Sequence, residues 1–465
     1  MIDEKLQNIL DRLPFNLNEK QLAFLDYFIN NKGNMLLQAQ AGAGKSLLLK
    51  ILKQYYEEEI AIFATTGVAS QNLKESYGTA HAYLSIPTKP AEDFDYKKVS
   101  PKCSGLFASS DKVKIIAIDE AFLLNSDNLD IIYHRIERFN RKYKKRSRRN
   151  IRLLLVGDSG QSVTIAKKDL KEKLKERWGS HLMFRSDVWG KFNFEYAVLD
   201  KVERQSDKVY KACLDVIRYN QAERFDRCLS WLNQRYRPAP EGAIYLAAQN
   251  KVVDKINEDV INSIDKPKFH FPAIVRKKFD LRESLVRENG VTVCETLKVM
   301  TIVNDEYERF SNGSTGVVTQ VDIEGCYILF DHSGKEERVE LYEWENKERY
   351  YEDELDKETG EYKPVLKEKV HGSLVCLPVL PSAAISISKS QGLTISVPYT
   401  IDLGEDWLYT WRKLEDFGTN FLYLGLSRGV DIDNVYLKRR VNTAYIKVCQ
   451  DSIDFYKECE RNSVI

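Results

Sequence analysis

The segment with the plainest chemistry runs from Ala39 to Ser46 and reads Ala-Gln-Ala-Gly-Ala-Gly-Lys-Ser. It lies between an apolar run at 35–37 and a helix-like apolar run at 47–49. In such a loop, backbone N–H groups close around phosphate oxygens, the lysine neutralises them and the hydroxyl holds Mg²⁺. Ala39 stands where the usual pattern has its first glycine, at a position that needs only a small side chain. The segment predicts ATP hydrolysis, with ATP and Mg²⁺ held by Gly42, Ala43, Gly44, Lys45 and Ser46.

Two further polar segments follow apolar runs, as they would at the strand ends of a sheet. Asp119 and Glu120 come directly after the run 115–118, and Gln161 closes the segment Gly-Asp-Ser-Gly-Gln. The aspartate can hold Mg²⁺ together with Ser46, and the glutamate can activate the attacking water. The glutamine amide can sense the γ-phosphate. These residues and Lys45 are the predicted catalytic group of this part of the chain.

Composition narrows the class of protein. With 465 residues, 43% of them hydrophobic, the chain is long enough for several domains. Because 70 Lys and Arg balance 69 Asp and Glu, a nucleic acid would have to bind to a local patch. We expect a soluble, cytoplasmic protein, since the amino terminus lacks a basic and apolar leader and no long apolar run occurs. Its eight cysteines lack a C-x-x-C pair and are interpreted as reduced structural thiols.

Short apolar runs alternate with helical stretches over much of the chain. Those at 35–38, 60–64, 115–118, 153–156 and 197–199 predict a parallel sheet flanked by helices. The α/β pattern resumes at 244–247, 382–401 and 420–437, and residues 266–375 between them predict a small inserted β domain. The basic stretch 138–152 precedes a predicted strand, so we interpret it as a solvated helix end and loop, with auxiliary phosphate contacts as the alternative.

Six segments carry a resemblance to a known family. They are 18–21 (Asn-Glu-Lys-Gln), 64–69 (Ala-Thr-Thr-Gly-Val-Ala), 79–81 (Thr-Ala-His), 202–205 (Val-Glu-Arg-Gln), 388–394 (Ser-Lys-Ser-Gln-Gly-Leu-Thr) and 422–428 (Leu-Tyr-Leu-Gly-Leu-Ser-Arg). With the phosphate loop they resemble, in order, the motifs of superfamily-one helicases of the RecD/Dda branch.

The resemblance implies an α/β fold of two RecA-like parallel-sheet motor domains, with an inserted small hairpin domain and an inserted Src-homology-type β-barrel. On this division the first motor domain comprises 1–80 and 113–200, and the hairpin, or pin, domain comprises 81–112. The second motor domain comprises 201–265 and 376–465, and the barrel with its charged arm comprises 266–375. A partner-docking role for the arm is the alternative to a solvated one.

Site residues follow from the same resemblance. Gln21 is expected to read adenine, and Gln391 and Gly392 are expected to link the state of the nucleotide to the grip on nucleic acid. Arg204 and Arg428 are expected to supply positive charge to the departing γ-phosphate. A surface salt bridge is the alternative for each arginine.

The expected nucleic-acid contacts are spread along the chain. Ser388 stands where the family usually has histidine, although a serine can still bind a phosphate oxygen. An aromatic residue of the pin is expected to stack on the base pair at a fork, with anchoring of the insertion as the alternative. For the threonines and His81 the alternative is helix capping and loop hydrogen bonding. The residues concerned are Thr65, Thr66, Thr79, His81, Phe94, Tyr96, Phe107, Ser388 and Lys389.

The expected activity is ATP-dependent translocation on single-stranded DNA from 5′ to 3′, with unwinding of duplex DNA. Its partners would be single-stranded DNA, forked duplex DNA and replication or recombination proteins, and no membrane would be involved. The expected oligomeric state is a monomer, as is usual for this branch. Polarity and the preference for DNA are implied by the resemblance alone. Protein contacts with the nucleic-acid backbone do not by themselves distinguish DNA from RNA, which differs by its 2′-hydroxyl. The alternatives are a translocase that displaces proteins, an RNA helicase, and a DNA-binding subunit of a repair or recombination complex.

Overall fold

The chain is described by a computed structural model that covers residues 3–65, 70, 73, 76–87, 99–100, 103, 106, 113–143, 150–161, 163–164, 166, 168–277, 279, 281, 286, 288–305, 307, 309–310, 312, 314–331, 333–355, 362–391, 393–404 and 420–465. It divides into two compact units. The first unit comprises Met1–Glu203, Glu348–Lys369 and Cys449–Ile465, and the second comprises Arg204–Lys347 and Val370–Val448.

A parallel sheet forms the centre of the first unit. Its strands run in the order β3-β2-β4-β5-β1-β6, and every neighbouring pair is parallel. Continuous apolar runs place buried residues on both faces of the inner strands, as expected for a sheet covered by helices on both sides. All five strands predicted here from apolar runs are present. The strands are β1 (Met35–Ala39), β2 (Ile60–Ala64), β3 (Ser76–Thr79), β4 (Ile115–Asp119), β5 (Arg152–Gly157) and β6 (Glu195–Leu199).

Three helices of this unit begin at a residue whose side chain caps the first turn, namely Asp3, Asn18 and Thr79. For example, the side chain of Asn18 accepts from the backbone N–H of Gln21 while the side chain of Gln21 accepts from that of Asn18, which forms a capping box. The apolar sides of the first three helices pack with the sheet in one core that extends from Leu6 to Leu199. The helices are α1 (Glu4–Leu10), α2 (Glu19–Asn30), α3 (Lys45–Tyr56), α4 (Ala80–Tyr83), α5 (Ser126–Tyr143) and α6 (Lys168–Trp178).

The remaining elements include a second parallel sheet. β7 (Ile244–Ala247) is flanked there by β18 (Ala384–Ser386) and β19 (Tyr399–Asp402), and β20 (Val435–Leu437) lies at the edge beside β19. The other helices are α7 (Lys208–Arg218), α8 (Phe225–Leu232), α9 (Asn250–Ser263), α10 (Phe421–Leu426) and α11 (Gln450–Arg461). The other strands are β8 (Phe269–Phe271), β9 (Ile274–Lys277), β10 (Val291–Val293), β11 (Lys298–Thr301), β12 (Thr315–Val321), β13 (Gly325–Phe330), β14 (Glu336–Glu340), β15 (Tyr342–Leu355), β16 (Tyr362–Cys376), β17 (Val379–Pro381), β18 (Ala384–Ser386), β19 (Tyr399–Asp402) and β20 (Val435–Leu437).

Antiparallel strands separate β7 from β18 along the chain. Five of them form a sheet in the order β14-β13-β12-β11-β17, and β8 pairs with β10. Gly316 permits the close pairing of β12 with β13, since a Cβ atom there would lie 2.5 Å from the Leu329 carbonyl oxygen. These strands agree with the β pattern predicted for residues 266–375, while closure into a Src-homology-type barrel stays a prediction. The pin aromatics Phe94, Tyr96 and Phe107 lie outside the described residues.

The end of the chain departs from the expected division. Residues 449–465, expected in the second motor domain, belong to the first unit because α11 packs against β6 and its neighbours. The backbone N–H of Val464 donates to the Tyr196 carbonyl oxygen at 2.9 Å, and Arg185 pairs with Glu458 at 3.1 Å.

All eight cysteines are free thiols, and seven of them are buried, in agreement with the interpretation from sequence. Among the residues that the structure describes, no helix is both long and apolar enough to cross a membrane.

Candidate functional site

The phosphate loop joins β1 to α3 at the carboxyl edge of the first sheet. Gly42 and Gly44 have φ angles of 80° and 94°, a left-handed region that glycine enters at little cost. The first helical residue is Lys45, so the unpaired N–H groups of α3 begin at the loop. The Lys45 Nζ atom donates to the Ala39 carbonyl oxygen at 3.2 Å. This strand, loop and helix are the arrangement that binds phosphate groups.

Gln21 braces this loop from α2. Its Nε2 atom donates to the Ala43 carbonyl oxygen at 2.9 Å, and its Oε1 atom accepts from the Asn18 backbone N–H at 3.0 Å. The φ angle of Gly44 favours glycine, and a Cβ atom there would lie only 2.6 Å from Gln21 Nε2, so a side chain would displace the amide that holds the loop. The structure therefore places the residue expected to read adenine against the loop itself.

Glu203 is a second brace, which the sequence motifs did not single out. Its backbone N–H donates to the Gly42 carbonyl oxygen at 3.1 Å, and its carboxylate accepts from Asn18 Nδ2 at 2.9 Å. Glu203 and Asn18 are 185 residues apart, and only the fact that both lie in motif segments hinted at a shared site. The two residues thus tie the phosphate loop to the start of α2.

The acidic pair lies at the same edge of the sheet, at the end of β4. Asp119 is buried, and its Oδ1 atom accepts from the Glu120 backbone N–H at 2.9 Å. Burial, and after it the nearby negative charge of Glu120, raise the pKa of Asp119 to about 7, while the positive charge of Lys45 opposes the shift. A buried carboxylate of this kind is stabilised by a cation, and with the Ser46 hydroxyl it supplies the oxygen ligands that Mg²⁺ prefers. The donor set therefore fits Mg²⁺, which would polarise the phosphate oxygens when bound.

Glu120 adopts a left-handed conformation with φ of 52°, an uncommon one for a residue with a side chain. Thr65 Oγ1 donates to its carbonyl oxygen at 3.1 Å and holds the turn. The structure thus gives Thr65, expected to contact nucleic acid, a contact with the acidic pair.

Gln161 lies in the turn that follows β5. Its Nε2 atom donates to Asp158 Oδ2 at 2.9 Å, and its backbone N–H donates to the Asp158 carbonyl oxygen at 3.1 Å. The side chain is only 2% exposed. The ends of β1, β4 and β5 therefore bring Lys45, Asp119, Glu120 and Gln161 to one sheet edge, as the sequence predicted for such strands.

Both predicted arginines converge on one residue of the second unit. Arg204 Nη1 donates to the Ser427 carbonyl oxygen at 2.7 Å, and Arg428 Nη2 donates to the Ser427 hydroxyl at 2.8 Å. Arg428 is 1% exposed. Burial of Arg204 itself, and after it the positive charge of Arg428, lower the pKa of Arg204 to about 10. Two guanidinium groups held this close together favour an anion as their partner.

Two tyrosines contact the backbone of the turn that carries Arg428, which we call the arginine turn. The hydroxyl of Tyr210 donates to the Leu426 carbonyl oxygen, and that of Tyr399 lies 3.2 Å from the same atom. A Cβ atom on Gly429 would lie 2.6 Å from the Tyr399 hydroxyl. Gln205 Nε2 donates to the Gly429 carbonyl oxygen at 2.6 Å. The contacts of the two tyrosines were not predicted from sequence, because both tyrosines lie outside the motifs. Gln205 lies in the motif at 202–205, but its contact with Gly429 was not predicted.

The 388–391 segment contacts this turn. Arg428 Nη1 donates to the Ser390 carbonyl oxygen at 3.4 Å, and the Gln391 backbone N–H donates to the Ser388 carbonyl oxygen at 3.3 Å. Lys389 is fixed at its backbone by the Ser386 hydroxyl, at 3.3 Å. Gly392 lies outside the described residues.

A cavity of about 560 Å³ opens beside Lys389. It is lined by one face of α9 and by β10, β17 and β18, and it combines amide, hydroxyl and amino groups with apolar walls. Its polar lining also contains two carboxylates, and it includes Asn250, Asp254, Asn257, Glu258, Lys268, Thr292, Ser386 and Lys389. The two lysines favour a phosphate and the two carboxylates oppose one, while the apolar walls can accept a flat base.

The other predicted nucleic-acid residues are only partly described. The Thr79 hydroxyl caps α4 by accepting from the Ala82 backbone N–H at 3.3 Å. His81 lies in the same helix, and its burial lowers the pKa of its imidazole. Thr66 lies outside the described residues. The capping role of Thr79 is the alternative that the sequence had left open.

The fold and the site together define an α/β nucleotide-binding protein with a phosphate-binding loop. The family model described as AAA domain matches residues 16–237. The chain is also similar to two curated helicases. It is 27% identical over 405 residues to ATP-dependent DNA helicase RRM3 of Saccharomyces cerevisiae, a match that covers 83% of this chain and 54% of the relative. It is 22% identical over 458 residues to ATP-dependent DNA helicase Pif1 of Campylobacter jejuni, with 91% of this chain and 94% of the relative covered.

Solved structures resemble the chain over nearly its whole length. Pif1 from Bacteroides sp in complex with ADP-AlF4 has a TM-score of 0.78 and 22% identity, with 96% of this chain and 98% of that one covered. Pif1 helicase from Candida albicans has a TM-score of 0.68 and 21% identity, with 96% and 99% covered. The chain has the fold of these proteins. It spans about half the length of the yeast relative. The sequence prediction of an ATP-dependent helicase agrees with the names of these relatives, none of which is a Dda protein.

Proposed function

We propose that the chain is an ATP- and Mg²⁺-dependent DNA helicase of the RecD/Dda type that moves from 5′ to 3′ along single-stranded DNA as a monomer. The observation that carries the proposal is the convergence of Lys45, Asp119, Glu120 and Gln161 at one sheet edge, on a fold shared with Pif1 helicases. Relatives named ATP-dependent DNA helicase support the class of activity. Direction, and the branch itself, rest on the motifs at 388–394 and 422–428.

In the proposed hydrolysis each residue has one task. The phosphate loop and Lys45 hold the β- and γ-phosphates, while Ser46 and Asp119 hold Mg²⁺. Glu120 takes a proton from the attacking water. Arg204 and Arg428 supply the positive charge that γ-phosphoryl transfer requires, which in other enzymes is worth roughly 10³ to 10⁵ in rate.

Strand binding is proposed at the cavity beside Lys389. Its lysines can pair with phosphates, and its apolar walls can accept a base. Solved Pif1 structures concern binding to single-stranded DNA and unwinding at forked double-stranded DNA, and the same two ligands are proposed for this chain. Separation of each base-pair step must overcome stacking of about 1.4 kcal/mol on average.

The test uses two matched DNA duplexes, one with a 5′ single-stranded tail and one with a 3′ tail. We expect ATP-driven strand separation of the 5′-tailed duplex only, and none with the Lys45→Ala variant. Unwinding from the 3′ tail would overturn the proposed direction. Hydrolysis stimulated by DNA without unwinding of either duplex would indicate a translocase or a subunit that awaits its partner, and stronger stimulation by RNA of the same sequence would indicate an RNA helicase.

A further inference from the structure

The last helix, α11, lies beyond every motif that points to function, yet it is built into the first unit. Its buried face consists of Ser452, Ile453, Phe455, Tyr456 and Cys459. Beyond the helix, the Ser463 hydroxyl accepts from the Val198 backbone N–H at 3.3 Å, and Ile465 packs against the core of the first sheet. The helix therefore does more than end the chain, since two of its residues reach the turns that carry the predicted catalytic groups.

The first of these contacts runs through Ser159, which lies two residues before Gln161 in the turn after β5. The Ser159 hydroxyl accepts from Gln38 Nε2 at 2.8 Å and donates to the Ser452 carbonyl oxygen at 3.4 Å. Gln38 belongs to β1, directly before the phosphate loop, and neither it nor Ser159 is more than 2% exposed. A buried chain of two hydrogen bonds therefore joins the phosphate-loop strand, the Gln161 turn and α11.

The second contact runs through Phe455, whose side chain is fully buried. Its ring stacks on Phe184 with centroids 4.6 Å apart and meets the edge of Phe122 at 6.2 Å. Phe122 lies two residues after Glu120, and its ring covers Gly157 so closely that a Cβ atom there would lie 2.7 Å away. The aromatic group thus fixes the short helical turn Ala121–Leu123 that follows Glu120.

We propose that α11 is a positioning element for hydrolysis, which holds the Gln161 turn through Ser452 and the Glu120 turn through Phe455. The inference deepens the proposed function and rests on it, because it assigns a task to those two turns. Ser159, Ser452 and Phe455 touch no reacting atom and act through their neighbours. A shift of about 1 Å in a catalytic group can cost on the order of 10²-fold in rate, so a brace at both turns has a direct effect on turnover.

Two variants of the full chain test the two contacts separately. Phe455→Leu keeps an apolar side chain but removes the aromatic stack, and Ser159→Ala removes both hydrogen bonds with almost no change in volume. Lys457→Ala, on the exposed face of the same helix, is the matched control. The measurements are kcat and KM for ATP hydrolysis stimulated by single-stranded DNA, the affinity for a fluorescent ATP analogue, and the thermal unfolding curve.

A positioning role predicts a loss in kcat of about 10-fold for each variant, with KM and nucleotide affinity changed by less than about 2-fold. It also predicts that Ser159→Ala adds no further loss in a Gln161→Ala background, because the serine acts through that turn. A purely structural role would instead lower thermal stability and leave the kcat of the folded variants at the wild-type value.

The inference is overturned if folded Ser159→Ala and Phe455→Leu retain wild-type kcat, if KM rises in proportion to the loss, or if the control loses as much as the variants. If Phe455→Leu does not fold, Ser159→Ala alone decides. A wild-type chain without hydrolysis stimulated by single-stranded DNA would overturn the proposed function and this inference with it. If the wild-type chain hydrolyses ATP in response to single-stranded DNA and the two variants do so equally well, this inference alone is overturned.

Discussion

Glu120 is the residue that we propose to activate the attacking water. Replacement by glutamine keeps the shape of the side chain but removes its capacity to take a proton, so we expect Glu120→Gln to lower ATP hydrolysis stimulated by single-stranded DNA by about 10²-fold or more. Nucleotide binding should stay near the wild-type value, whereas Lys45→Ala should weaken it. Steady-state hydrolysis and binding of a fluorescent ATP analogue measure the two effects. Turnover of Glu120→Gln near that of the wild type would remove this residue from the mechanism.

Asp119 should make the stability of the nucleotide-free protein depend on pH. Burial raises its pKa from 3.8 to about 7 in the folded state, so folding favours the protonated form. Its contribution to stability is therefore greatest below the unfolded pKa and is lost as the pH rises through about 7. We expect Asp119→Asn, which cannot ionise, to raise the thermal unfolding temperature more at pH ~8 than at pH ~5. An equal shift at both pH values, in metal-free buffer, would contradict the raised pKa.

At the scale of an element, the turn that carries Arg428 depends on one glycine. A Cβ atom on Gly429 would lie 2.6 Å from the Tyr399 hydroxyl and 3.0 Å from that of Tyr210, so Gly429→Ala must displace the turn or the rings. We expect a loss of about 10-fold or more in kcat for hydrolysis stimulated by single-stranded DNA, because the guanidinium moves with the backbone.

The control for this prediction is Gly190→Ala, since nothing lies within 4 Å of a Cβ atom at that glycine and its φ angle is not in the left-handed region. It should retain wild-type turnover. If Gly429→Ala does so too, the position of the arginine turn does not limit the reaction.

The sequence predicted those elements whose signals are local. Apolar runs located five of the six strands of the first parallel sheet, all but β3, and the segments that contain the strands of the second sheet. The glycines and lysine of the phosphate loop located the site at the end of β1. Contacts between distant segments could not be predicted in this way. The hydroxyl of Ser159 meets the carbonyl oxygen of Ser452 across 293 residues, and the side chain of Gln205 meets Gly429 across 224. No local pattern specifies such partners, because burial and hydrogen bonding at these positions are decided only when the sheets assemble.

At the scale of the whole molecule, the net charge of +1 gives no long-range attraction to nucleic acid. Strand binding must therefore depend on a few local cations, and Lys268 and Lys389 both line the cavity of about 560 Å³. Each phosphate that a lysine neutralises releases counterions from a single strand and adds about 0.7 to the slope of log affinity against log salt concentration. The number of such contacts can therefore be counted from a salt titration.

We expect Lys389→Ala and Lys268→Ala each to weaken the binding of single-stranded DNA and to reduce that slope by about 0.7, with similar losses for all base sequences. Lys251→Ala is the control, because this exposed lysine lies on the same helix, α9, but does not line the cavity. Fluorescence anisotropy of a labelled oligonucleotide at several salt concentrations measures affinity and slope together. If the cavity variants keep the wild-type slope while the control changes it, the strand follows another surface. If all three keep it, the cations that hold the strand lie elsewhere, and the cavity beside Lys389 has a different ligand.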